Sequence, residues 1–180
     1  MTETPADPIM EAIGRAVMAG QTGDKAAARA TLLDLWAEIG VVGDPLHRCT
    51  LAHSMADLFE DAAQALAWDI RALDAADAAT DERVQAHHAG LQIAGFYPSL
   101  HLNLADDYRR LGSFAAAEAH LDEADKSASH LPEGPYGDLI LSGIKGVAAA
   151  IAARDTAPRP SAPGGRGLPL VGIHLSRRPK

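Results

Sequence analysis

Eight histidines and a single cysteine are the side chains of this 180-residue sequence best suited to metal binding or nucleophilic chemistry. His53 and Asp57 stand four apart, a helical spacing that can hold a divalent ion or simply pair an imidazolium with a carboxylate. His87 and His88 are adjacent, so on a helix they diverge by about 100° and do not share an ion easily. His101 and Asp106 are five apart and poorly aligned. No His-x-x-x-His, Glu-x-x-His or His-Glu-x-x-His occurs, so neither a metal nor another cofactor is expected, and the histidines read as surface or groove residues. Cys49 falls near a helix start, where a lone cysteine is normally a small apolar packing residue. No catalytic residue is assigned. Phosphate-cradling glycine motifs are also missing, because Gly164-Gly165-x-Gly167 lies among prolines with no helix expected after it.

Composition narrows the scaffold that must carry these groups. Aromatic residues make up only 4% and alanine about a fifth of the chain, which argues against strands and for close-packed helices. The net charge is −8, yet no acid follows Asp155 while Arg159, Arg166, Arg177, Arg178 and Lys180 do, so the body is more acidic than the total suggests. Such a surface repels phosphate backbones and anionic bilayers, and neither nucleic acid nor membrane is an expected partner. No apolar run reaches the ~18–20 residues of a membrane span, and MTETPADP lacks the layout of a signal peptide. A cytoplasmic location is the expectation. Residues 156–180, with five prolines and four glycines, are expected to form a flexible tail in which only Leu168–Leu175 could dock as an extended segment.

Helix punctuation is regular. Asp7-Pro8 and Asp44-Pro45 place a capping side chain before a proline, and Asp24, Asp61, Thr80, Ser113 and Gly134-Pro135 are further start signals. Seven helices are predicted, at about 8–19, 25–39, 45–59, 62–78, 81–111, 114–129 and 135–154, joined by short connections that favour antiparallel hairpins. Apolar stripes support them: Ala28, Leu32, Leu35 and Ile39; Leu66, Ile70 and Leu73; Phe114, Ala117, Leu121 and Ala124; Tyr136, Ile140, Ile144, Val147 and Ile151. The fifth would be roughly 45 Å long if continuous. Pro98 predicts a kink or break near Ile93–Tyr97, as one bent rod or two abutting pieces rather than a true loop.

The stretch Leu104-Ala105-x-x-Tyr108-x-x-Leu111-Gly112-x-Phe114-x-x-Ala117-x-x-x-Leu121-x-x-Ala124 resembles a tetratricopeptide repeat. Partial copies precede it, at Gly23–Leu35 and Leu51–Leu58. The resemblance implies an all-α, right-handed superhelix over residues 1–155. Its repeats would lie at about 8–40, 45–79 and 80–131, the last lengthened by an insertion at 80–98, with a closing helix at 135–154. It further implies a non-catalytic adaptor whose concave groove binds a protein or peptide. His53, Asp57, His88, Asn103, Asp106, Arg109 and Arg110 are the candidate groove residues, Asn103 standing where peptide-clamping relatives use asparagine; the lysines that complete that clamp are absent. Arg109 and Arg110 could offer a bidentate carboxylate contact. The end faces of such an array permit a homodimer. The alternative is a ligand-sensing regulatory subunit that encloses a small molecule beside helix 81–111, against His87, His88 and Gln92. An enzyme would require His53, Asp57 and Cys49 to converge in a cleft.

Overall fold

The computed structural model describes residues 7–87 and 92–159, so His88 and residues 160–180 of the expected tail lie outside the described residues. The described residues form no strand. Eight α-helices follow one another: α1 (Pro8–Gln21), α2 (Lys25–Ile39), α3 (Pro45–Ala56), α4 (Ala62–Asp77), α5 (Asp81–His87), α6 (Tyr97–Arg110), α7 (Phe114–Ser127) and α8 (Pro135–Ala152). The all-α expectation is met. None of these helices is long and apolar enough to cross a membrane.

Their starts are written in local chemistry. Asp7, Asp24, Asp44 and Asp61 each accept a backbone N–H of the first turn, at 2.9–3.2 Å, which satisfies donors that the helix cannot. Thr80 Oγ1 does the same for Arg83. Asp7 and Asp44 use their second oxygen as well: Arg83 of α5 donates Nη2 to Asp7 and Nε to Asp44, and His47 Nε2 lies 2.8 Å from Asp7. One arginine thus ties the short α5 to the starts of α1 and α3. Gly112 turns α6 into α7 with φ +75°, a conformation that a side chain would strain.

Segment 81–111 is not one bent rod. α5 ends at His87, Gln92 is extended, a 3-10 turn covers Ile93–Gly95, and α6 begins at Tyr97. Pro98 occupies the first turn of α6, where its missing N–H costs nothing and its fixed φ suits the helix. The proline starts a helix here and bends none.

Three hydrophobic clusters succeed one another along the chain. Met10, Ile13, Leu32, Leu51 and Met55 join α1, α2 and α3. Leu46, Cys49, Ala72, Ala76, Val84, Phe96 and Leu100 join α3, α4, α5 and the start of α6. Leu102, Ala117, Ala124, Ile140, Ile144 and Val147 join α6, α7 and α8. Trp36 and Trp68 meet edge to face at 5.3 Å where the first two clusters adjoin. The stripe expected on α4 differs from the observed one. Ile70 is exposed and Leu66 and Leu73 are half-buried, while Ala62, Ala65, Asp69, Ala72 and Ala76 face inward. Alanine lets α4 lie close against both α3 and α6, and it puts one aspartate in the middle of that contact.

Candidate functional site

Asp69 lies inside this contact and is almost without exposure (2%), as is His53 of α3 (1%). On α6, Asn103, Asp107 and Arg110 recur at four and three residues and therefore share a face. His53 Nδ1 stands 3.2 Å from Asp69 Oδ1 and 3.5 Å from Asn103 Nδ2. Asp69 also accepts from Asn103 and lies within hydrogen-bonding reach of Asp107. The acceptor it faces assigns the His53 ring proton to Nδ1.

Burial pushes both carboxyls up, Asp69 well above the ordinary carboxylate range and Asp107 to about 9, and the charge of Asp69 adds to the effect on Asp107. Two carboxylates this close cannot both ionise, so the pair retains a proton at neutral pH. Asp107 is the better donor because Asp69 already accepts from Asn103 and faces the His53 ring N–H. Arg110 closes the cluster from one end: Nη1 lies 3.5 Å from Asp107 Oδ1, and Nη2 donates to the Glu60 carbonyl. A proton-holding carboxyl pair beside an imidazole is the stuff of general acid–base chemistry. Here the groups are enclosed by three helices and address each other, so in this conformation they hold α3, α4 and α6 in register.

The structure therefore brings His53, Asn103 and Arg110 together and adds Asp69 and Asp107, which sequence reasoning missed. The expectation that His53 lines an open groove is corrected, because it is packed inside. Arg109 is corrected on the same ground. Its guanidinium has no exposure, binds Asp106 at 2.9–3.0 Å, and donates to the carbonyls of Asp155 and Ala157, pinning the chain after α8 onto α6. Neither Arg109 nor Arg110 is available to clamp a ligand carboxylate. Asp57 caps the end of α3 and is half-buried, as are Asn103 and Asp106. Cys49 points into the second core, where burial, then the charges of Asp69 and Asp77, push its thiol up to about 12; it stays protonated and unreactive.

The chain matches no protein-family model, no curated protein and no solved structure. Its function must be argued from its own geometry. Between α3 and the α5–α6 segment, the space considered for an enclosed small molecule holds Leu46, Cys49, Val84, Phe96 and Leu100 in contact. Near the α6–α7 turn, a shallow open depression is lined by Gly112–Ala116 and Arg154, whose guanidinium lies over the Phe114 ring.

Proposed function

We propose that this chain is a non-catalytic helical-repeat scaffold, of the tetratricopeptide type, that binds an extended polypeptide segment. The observation that carries the reading is the succession of three cores, each shared by helices near in sequence. That is how a solenoid is built, and a solenoid keeps a long side face open to a partner. The face taken for binding is that of α3 and α6, with Asp57 and Asn103 flanking the buried His53 and Asp106 following on α6. With both arginines engaged internally, the groups left on this face are acidic or amide. The expected ligand is a neutral to basic segment, whose approach the net charge of −8 assists.

Random-peptide display selected against the full chain tests this. The expected result is a convergent family of peptides that loses binding to the Asn103→Ala and Asp57→Ala proteins, both still folded by circular dichroism. Failure of the selection to converge, or peptides indifferent to both substitutions, overturns the reading.

A further inference from the structure

On the other side of α6, Tyr97, His101 and Tyr108 face α7, and His120 of α7 lies among them. The four rings make a stack in the order Tyr97, His101, His120, Tyr108. Successive centroids are 6.1, 5.3 and 5.4 Å apart, and the His120 and Tyr108 planes are within 7° of parallel. All four side chains are half-buried. The two tyrosines thus hold the two imidazoles from outside, and Tyr97 is itself fixed by donating its hydroxyl to Asp77 Oδ1 at 2.8 Å.

The imidazoles meet through like atoms, Nδ1 to Nδ1, at 3.0 Å. Only one proton fits between them, so one ring must donate and the other accept. Two nitrogens that separation apart, each about 2.0–2.1 Å from a common ion, would subtend roughly a right angle at it. That is the angle between neighbouring ligands in a square-planar or tetragonal ion, and it is narrower than a tetrahedral site requires.

We propose that His101 and His120 form a two-histidine site for Cu(II) or Ni(II), bridging α6 and α7, with the remaining positions open to water. No cluster of three or more such ligands converges among the described residues, so this is an open site and not a closed structural one. The surroundings suit a cation. Asp77 acts electrostatically on His101, and Glu123, one turn beyond His120, acts on both rings. Lys126 is held back by its ion pair with Glu123 at 2.6 Å, and Asp122 lies near that lysine. Burial, and for His101 the neighbouring His120, hold the two rings below the ordinary imidazole range, so both are neutral, the form that a metal takes. The site is independent of the peptide-binding face.

The test uses the full chain, free of any added histidine tag, titrated with copper chloride and followed by electron paramagnetic resonance and thermal melting. One equivalent of Cu(II) with two imidazole nitrogens is expected, together with a higher melting temperature, because the ion ties two helices together. His101→Gln and His120→Gln, each checked for helix content, should lose both signatures, whereas His130→Gln should keep them. A two-nitrogen spectrum that survives in either single variant places copper on other histidines and overturns the proposal. So does a wild-type protein that shows neither signature.

Discussion

Two carboxyl groups buried side by side make the stability of this fold depend on pH in an unusual direction. A surface aspartate held by a cation stabilises the folded state once ionised, and Asp7 and Asp44, lowered by His47 and Arg83 against the opposing effect of burial, behave that way. Asp69 and Asp107 behave oppositely. Their folded values lie above the unfolded one, so between the ordinary carboxylate range and about 9 the folded chain binds more protons than the unfolded. Stability then falls as pH rises through that window, by at most about 1.4 kcal/mol per pH unit for one retained proton. On the acid side, protonating Asp7 and Asp44, and charging His101 and His120 against their lowered values, also destabilises the fold. Melting temperature against pH should therefore descend on both sides of a maximum. Asp107→Asn keeps a donor toward Asp69 without a titrating proton, so it should flatten the alkaline descent and leave the acid limb in place; an alkaline limb unchanged in this variant would mean that the pair carries no such proton. Part of this cluster was legible in the sequence. His53 and Asn103 stand out as polar residues in a helix register. Asp69 and Asp107 do not, because an aspartate on an alanine-rich or arginine-flanked helix looks like part of a solvated face, and only the packing of α4 reveals that its alanines are the buried side.

Helix starts could be read from sequence because an aspartate before a proline, or a glycine before a serine, states its conformation locally. Ser113 nevertheless makes no side-chain cap bond, so its position rests on Gly112 instead. The join between α5 and α6 was only half legible. Pro98 announces an interruption, but a proline can end a helix, bend it or start it, and tertiary contacts of Phe96 and Leu100 decide which. The α6–α8 contact offers a sharper test of what packing adds to propensity. Gly143 and Gly146 are three residues apart on α8, and alanine at either should favour the helix by about 0.5–1 kcal/mol. A Cβ at Gly143 would stand 2.6 Å from Leu102 Cδ2, inside the third core, where overpacking typically costs about 1–3 kcal/mol. A Cβ at Gly146 meets only the guanidinium of Arg159, the end of a long side chain that can swing aside. Gly143→Ala should therefore destabilise the protein and Gly146→Ala should stabilise it, as measured by urea denaturation. Equal effects of the same sign would show that α8 does not press on Leu102 as described.

A chain of three cores has energetic consequences that a single closed core does not. In a closed bundle every helix shares partners with most others, so substitutions anywhere interact through common neighbours. Here Ile13 belongs to the cluster of α1, α2 and α3, and Ile144 to that of α6, α7 and α8, with the alanine-lined middle cluster between them. Ile13→Val and Ile144→Val should each cost about 0.5–1.5 kcal/mol, and their double variant should match the sum to within about 0.5 kcal/mol. Within one cluster the result should differ. Ile13→Val combined with Leu32→Ala, both in the first core, should deviate from additivity by about 0.5 kcal/mol or more, because the two sites share the same surrounding side chains. The comparison also bears on the binding proposal, since an array held together by neighbours can flex between its cores without unfolding any of them. Strong coupling between Ile13 and Ile144 would mean that the two ends of the chain share a core after all, and it would remove the solenoid argument on which the open binding face depends.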